Sequence, residues 1–344
     1  MSLLHHLAHD RNETALKKHL STSLKILVSL GLIAYLFWRM DLAQVKMVLY
    51  SANYLYLLPA ALLFLAAMTN SALKWYILLR AQRIEVPFHA ILSYTYVGFF
   101  FNNFLPANVG GDVMRGYGLA RYTERTAEAA ISVIVDRIVG LAAFMVCAAV
   151  SAAVAILFMH QKELQGVELA AVMALGLVVG GFAALLSRRI RAQLGKAFRW
   201  RPLVPLSPLY HRTSEALDAY RHSYGALAAA FCVSLSTLIL TNMTDYFIAQ
   251  SLGGGLALIY IFIFNPIIAF VLLVPVSIGG LGVTQAIYPF FYGLVGVPAS
   301  FAFSISLLKQ LVIYVTSVLG GILWWRGKAG AGETARHVVE ASGT

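Results

Sequence analysis

The sequence contains few charged residues: Asp, Glu, Lys and Arg together make up 12% of its 344 residues. Soluble domains usually carry about twice that fraction, so a soluble globular protein, a disordered chain and a coiled coil are excluded. Hydrophobic residues supply 60% of the chain, and the mean hydropathy is +0.75. The apolar residues form continuous runs of helical length, whereas a membrane barrel has alternating segments of roughly ten residues. We therefore predict an all-α polytopic membrane protein.

Cysteine and clustered histidine are scarce as well. Cys147 and Cys232 are the two cysteines, and we interpret both as buried small hydrophobic residues because each lies in an apolar run without a metal-type neighbour. His5, His6 and His9 lie on a polar N-terminal arm, where we expect them to be solvated. The sequence contains no P-loop and no cleavable signal peptide. We expect no metal, no cofactor and no use of ATP by this chain.

The formal net charge of +11 is concentrated between the apolar runs. In a membrane protein such charge sets the orientation, so we do not expect nucleic acid as a partner. The clearest basic segment, residues 188–222, has eight Lys or Arg against two acidic residues. We predict that it is a cytoplasmic loop facing an anionic lipid surface. An N-terminal arm at 1–19 and a tail at 327–344 are predicted to be cytoplasmic too, in a bacterial-type cytoplasmic (inner) membrane.

Two pairs of apolar runs are each interrupted by a Pro-x-x-x-Gly-Gly break. The charge pattern returns the chain to the same side of the membrane after each pair, so each pair is predicted to form a re-entrant hairpin. The expected fold is about eight transmembrane helices plus two re-entrant hairpins. The paired runs are residues 88–105 with 113–122, and residues 256–274 with 283–297.

The two breaks belong to an internal repeat. Asn70 recurs as Asn242 and Arg137 recurs as Lys309, each with an offset of 172 residues. Because the copies have opposite predicted orientations, we predict an inverted repeat, and interrupted helices at matching positions of such halves indicate a transport site near the midplane. The alternative is that the glycines only permit close helix packing. The predicted membrane domain spans residues 20–326, with halves at about 20–159 and 167–326.

Ionisable residues at membrane depth are costly and usually mark function. Asp112 and Arg115 are three residues apart after the first break, so they share a helix face and can pair with each other. The first break also exposes a helix N-terminus at which the N–H groups of Gly110 and Gly111 are expected to be free, and such a terminus favours anions. Arginine can bind a phosphate through two parallel hydrogen bonds. We predict a site for an anionic or zwitterionic phosphate-bearing lipid. The predicted substrate-binding residues are Asn103, Asn108, Gly110, Gly111, Asp112, Arg115, Asp136, Arg137, Ser277, Gly279, Gly280 and Lys309.

Alternatives exist for several of these residues. The charged set could be structural ion pairs that fix helix packing, and the asparagines could cap the broken helix ends. Lys74, near the end of its span, is interpreted as a snorkelling side chain.

The run from Asn103 to Arg115, followed by Ser132 to Leu141, resembles the signature of the lysylphosphatidylglycerol synthase transmembrane family, also called the flippase-like domain family. Pro275 to Val283 resembles its second signature, and the resemblance covers about residues 20–326. It implies a phosphate-bearing lipid as substrate, including aminoacylated phosphatidylglycerol in related proteins. The soluble transferase domain of some members has no counterpart in the tail, so synthase activity is not implied. Gln285 stands where the second signature often has an acidic residue, and Lys309 stands where arginine is common.

The residues and the resemblance together predict a lipid transporter or flippase that moves a phosphate-bearing lipid between leaflets by alternating access. The alternatives are a membrane enzyme acting on a lipid phosphate and an accessory subunit of a glycolipid or cell-envelope assembly system. We expect the protein to have no enzymatic activity, since no nucleophile–base pair or metal cluster is recognisable in the sequence. The identity of the lipid, the direction of transport, energy coupling and homo-oligomer formation are left open.

Overall fold

The computed structural model describes residues 42–104, 110–159, 165–187, 189, 215, 217–272 and 282–342. Within these residues the chain is helical and has no strand, which confirms the all-α prediction. The first predicted apolar run and most of the basic loop lie outside the described residues. So do four of the predicted site residues: Asn108, Ser277, Gly279 and Gly280.

Most of the helices are joined by short connections. A single 3-10 turn, Tyr54–Tyr56, leads into the second helix. The helices are α1 Leu42–Tyr50, α2 Leu57–Ala81, α3 Phe88–Phe104, α4 Gly110–Thr123, α5 Thr126–Met159, α6 Gln165–Leu186, α7 Tyr224–Ser251, α8 Leu258–Val271, α9 Val283–Gly293 and α10 Ala299–Ser342.

Four segments of the described chain are long and apolar enough to cross a membrane, and they confirm a polytopic membrane protein. Two further apolar stretches are shorter: Val172–Ala183, which lies within α6, and Leu258–Val271, which is α8. The total number of crossings stays a prediction because part of the chain lies outside the description. The four long segments are Tyr54–Ala81, Thr126–Phe158, Tyr224–Ser251 and Ala299–Arg326.

Helix order and packing repeat along the chain. Helices α2 to α5 are long, short, short and long, and α7 to α10 follow the same order. In each set the second helix packs on the third, and the third packs on the fourth. Between the sets, α2 packs on α7, α3 packs on α10, and α8 packs on α5. Exchanging the two sets therefore leaves the list of packed pairs unchanged.

The two breaks bring glycine into close contact or into a left-handed conformation. The Gly111 N–H donates to Asn102 Oδ1 at 2.9 Å, and a Cβ at Gly111 would collide with the Gly98 carbonyl oxygen. At the second break, Gly282 precedes α9 with a φ of 82°, a conformation that favours glycine. Its N–H donates to Gln285 Oε1 at 2.7 Å. These contacts hold α4 against α3 and fix the start of α9.

The buried apolar residues of the described chain form one large core and three smaller clusters. The large core lies mainly among α7 to α10 and contains Phe264 and Tyr292, while one of the smaller clusters lies among α2 to α5 around Trp75. Cys232 is exposed and Cys147 is half-buried, so the interpretation of both cysteines as buried residues is wrong. Cys232 lies on a membrane-length helix, where an exposed apolar position meets lipid without cost.

Candidate functional site

A cavity of about 310 Å³ lies among α2, α3, α4, α5 and α7. Hydroxyl groups and apolar side chains form part of its lining. Five charged residues line it as well. The five are Lys74, Asp112, Arg115, Asp136 and Arg137, and we call them the charged cluster.

Arg115 lies between two carboxylates. Its Nε is 3.1 Å from Asp112 Oδ1, and its Nη2 donates to Asp136 Oδ2 at 2.7 Å. The guanidinium carbon lies 5.0 Å from the centre of the Trp75 ring, and the Trp75 indole N–H donates to Ser132 Oγ at 3.1 Å. Arg115 is only 6% exposed. The predicted pairing of Asp112 with Arg115 is therefore present, and this arginine is enclosed by its partners.

Asp112 also binds Arg137. The Arg137 Nε donates to Asp112 Oδ2 at 2.5 Å, and Nη2 donates to Oδ1 at 2.8 Å. This two-point geometry is the strong form of an arginine–carboxylate pair. The Arg137 side chain is 49% exposed, the largest fraction in the charged cluster. Its third guanidinium nitrogen, Nη1, is not part of the pair with Asp112 and can donate to a further acceptor.

Lys74 belongs to the same charged cluster. Its Nζ lies 3.0 Å from Asp136 Oδ1 and donates to the Asp136 backbone carbonyl at 3.1 Å. The side chain is buried against α5, so the interpretation of Lys74 as a snorkelling residue is wrong. A buried carboxylate with two cationic partners is a more favourable neighbour for an ammonium group than lipid. Asp136 thus joins Lys74 on α2 to Arg115 on α4.

The N-terminus of α4 is less open to a ligand than the sequence indicates. We expected the N–H groups of Gly110 and Gly111 to be free for an anion, but Asn102 accepts the Gly111 N–H. Gly111 and Asn102 still line the cavity. Asn103 lies on the neighbouring part of α3, and its Nδ2 is buried with no hydrogen-bond partner among the described residues.

Lys309 lies in a different group of side chains. Its Nζ is 2.7 Å from Asp245 Oδ2 and 2.6 Å from the Tyr288 hydroxyl. Asn265 Nδ2 donates to the same Asp245 oxygen at 2.7 Å. We call this group the second polar cluster: Asn242, Asp245, Asn265, Tyr288, Tyr292 and Lys309.

The second polar cluster has its own cavity of about 160 Å³. Phe144, Leu238 and Thr241 line both cavities, so the two adjoin. The structure therefore unites four predicted residues in the charged cluster but places Lys309 in the neighbouring cluster. Among the described residues, no three His, Cys, Asp or Glu side chains come together as a metal site requires.

Sequence reasoning left several of these residues out of the predicted binding set. Asp245 carried a usable signal, because a carboxylate inside an apolar run usually faces a partner within the protein. Asn265 and Tyr288 carried no such signal, since amide and phenol groups are tolerated at many depths. Lys74 was noticed but assigned to the wrong environment.

These features define an all-helical, multi-pass membrane protein with a charged internal cavity. The chain belongs to the family described as the lysylphosphatidylglycerol synthase TM region, whose family model matches residues 23–321. The resemblance inferred from the sequence motifs is thereby confirmed.

Two curated relatives match over most of their length. A UPF0104 membrane protein of Pyrococcus horikoshii is 23% identical over 323 residues, covering 87% of this chain and 95% of the relative. A UPF0104 membrane protein of Methanothermobacter thermautotrophicus is 25% identical over 299 residues, covering 80% of this chain and 87% of the relative. No solved structure matches the chain significantly.

Proposed function

We propose that the protein is a lipid transporter that moves a phosphate-bearing lipid between membrane leaflets by alternating access. The observation that carries this proposal is the charge of the cavity. Three cations, Lys74, Arg115 and Arg137, and two carboxylates, Asp112 and Asp136, line it. Three positive minus two negative charges leave one formal positive charge among the described lining residues.

An unbalanced charge at membrane depth is unfavourable unless a ligand or water compensates it. The phosphodiester of a membrane lipid carries one negative charge and offers acceptor oxygens to arginine. Apolar residues such as Met68, Phe99 and Phe144 line other parts of the same cavity. A lipid head group with its adjacent glycerol or prenyl carbons fits such a mixed lining better than an inorganic anion does.

Exposure and partners assign different roles within the charged cluster. Arg137 is half-exposed and keeps one guanidinium nitrogen outside its carboxylate pair, so it contacts the phosphate. Arg115 and Lys74 are buried against Asp136, so they position the charged cluster and contribute charge. This assignment narrows the sequence prediction, in which Arg115 also binds the phosphate directly.

The repeated helix packing supports alternating access. Helix α3 has 17 residues and α4 has 14, which correspond to lengths of about 26 Å and about 21 Å at the usual helical rise. Both are shorter than an apolar core of about 30 Å, as a re-entrant hairpin requires. We propose that α2–α5 and α7–α10 are the inverted halves of a transporter. In this proposal the protein lies in the cytoplasmic membrane with both termini inside.

Reconstitution tests the transport activity. The purified protein is placed in liposomes with fluorescently labelled phosphatidylglycerol, and a membrane-impermeant quencher reports the outer-leaflet fraction over time. We expect translocation by the wild type and almost none by Arg137→Ala. The matched control is Arg121→Ala, because Arg121 is exposed near the end of α4 and lies outside the cavity lining. Full activity of Arg137→Ala would contradict the proposed site.

The same liposomes separate transport from chemistry. Mass spectrometry of the total lipid should show an unchanged composition while the sidedness of the label changes. A new lipid species formed by the wild type and absent with Arg137→Ala would favour the alternative of a membrane enzyme that acts on a lipid phosphate. Translocation that requires a second protein would favour the alternative of an accessory subunit in a glycolipid or cell-envelope assembly system.

A further inference from the structure

The second polar cluster has one feature that its ion pair does not explain. Asp245 is 1% exposed, and three donors converge on its Oδ2: Asn265 Nδ2, the Tyr288 hydroxyl and Lys309 Nζ. Its Oδ1 is buried and has no hydrogen-bond partner among the described residues. An unsatisfied buried carboxylate oxygen carries a full desolvation cost. Such an atom in a native structure calls for an explanation.

Asp245 also lines the cavity of about 160 Å³ together with Asn242, Asn265 and Lys309. This volume holds several water molecules, since each occupies about 30 Å³ in the liquid. The cavity adjoins the larger one through the lining residues that they share. Water in it would supply a route by which a proton reaches Asp245.

From this geometry we infer that Asp245 is a proton-binding site coupled to the anion site of the charged cluster. The inference rests on the proposed function and adds the ion that drives it. A proton on Oδ1 satisfies the unpaired oxygen with a hydroxyl donor and removes the buried negative charge. Lys309 then loses its counterion, and its ammonium, which is 23% exposed, attracts the lipid anion from the adjoining cavity.

The charges around Asp245 favour a proton over a metal cation. The formal charge of the second polar cluster is zero, from Asp245 and Lys309. A sodium ion would bind beside an ammonium group that already lies 2.7 Å from the same carboxylate, and like charges at that range repel strongly. A proton avoids this repulsion, because it binds covalently to the carboxylate and neutralises its charge.

The groups that contact Asp245 and its immediate neighbours come from three helices. Helix α10 contributes Lys309, α9 contributes Tyr288 and Tyr292, and α8 contributes the neutral Asn265. Helices α2 and α5 also pack on α7, but their buried ionisable groups line the larger cavity as part of the charged cluster. Lys309 is therefore the charged partner that protonation of Asp245 releases.

The consequence is linkage: an anionic lipid and a proton each raise the affinity for the other. Lipid binding should therefore be accompanied by proton uptake. Calorimetric titration with a monomeric short-chain phosphatidylglycerol measures this uptake, because the observed heat then differs between buffers of different ionisation enthalpy, such as MES and imidazole. The protein is used whole and in detergent.

We expect buffer-dependent heat for the wild type and buffer-independent heat for Asp245→Asn. Because that variant leaves Lys309 unpaired, the double variant Asp245→Asn/Lys309→Met removes both charges and keeps the test available if the single variant unfolds. The matched control is Glu85→Gln, whose side chain is 86% exposed and which should take up the same number of protons as the wild type.

The possible failures are distinguishable. Absence of any phosphatidylglycerol binding by the wild type would overturn the proposed function itself. Binding with equal heats in the two buffers would overturn only the proton inference. Equal proton uptake by wild type and Asp245→Asn would remove Asp245 as the site, and binding strengthened by sodium instead of by protons would replace the proton with that cation.

Discussion

Arg137 and Lys309 occupy matching positions of the repeated helix order, on α5 and α10, yet their surroundings differ. Arg137 shares Asp112 with Arg115 in a cavity lined by five charges. Lys309 shares Asp245 with neutral donors, Tyr288 and Asn265. The first site keeps one unbalanced positive charge, whereas the second is neutral.

In the proposed transporter, this difference lets one fold serve two kinds of ligand. The repeat places a cation near a cavity in each half, and the neighbouring residues decide what the cation does. Arginine stays charged and offers a rigid fork for a phosphate. Lysine is a point charge, and in our proposal its effect depends on whether Asp245 carries a proton.

The largest expected effect comes from Asp136→Ala, which removes the shared anion of the charged cluster. Lys74 and Arg115 would remain buried without it, and breaking a buried ion pair in this way costs about 3–5 kcal/mol. We expect a clear fall in the thermal midpoint in detergent and loss of translocation. Glu85→Ala, at an exposed position, should leave the midpoint unchanged. An Asp136→Ala protein as stable as the wild type would show that the charged cluster is not an interdependent network.

Arg137→Lys sharpens the comparison, because it gives the first half the cation of the second. The charge remains, but the two-point geometry to Asp112 and to phosphate is lost. Losing one charge-assisted hydrogen bond costs about 1.5 kcal/mol, so the initial translocation rate should fall about tenfold while the thermal midpoint changes little.

The liposome assay with labelled phosphatidylglycerol measures this rate, and Arg121→Lys is the control. An undiminished rate in Arg137→Lys would mean that charge alone, without the arginine fork, is sufficient at this position.

Part of the charged cluster was predictable from sequence for local reasons. Asp112 and Arg115 are separated by one helical turn, and the connection from α4 to α5 is short, so Asp136 and Arg137 had to lie near them. The family motif covers the same residues. The fold class followed from the length of the apolar runs, because a helix satisfies its own backbone hydrogen bonds in lipid.

The remaining contacts depend on tertiary packing, which residue spacing does not encode. Lys74 reaches Asp136 from a helix 62 residues earlier in the chain, and nothing near Lys74 indicates that contact. Lys309 was predicted to hold the lipid head group together with the charged cluster. It lies beside α7 and α9 instead, where Asp245 and Tyr288 bind its ammonium group.

The smallest expected effect, from Tyr292→Phe, tests the neutral shell of the second polar cluster. The Tyr292 hydroxyl donates to Asn265 Oδ1 at 2.8 Å, which orients the amide so that Nδ2 donates to Asp245. Loss of this hydroxyl leaves a buried acceptor unpaired, so we expect destabilisation of about 1 kcal/mol. The Asn265 amide keeps its contacts with Asn242 and Asp245 through Nδ2, so the second polar cluster should stay assembled. The thermal midpoint in detergent measures the effect, and Tyr117→Phe, at an exposed position on α4, should leave the midpoint unchanged. A Tyr292→Phe midpoint equal to that of Tyr117→Phe would mean that this hydrogen bond does not stabilise the second polar cluster.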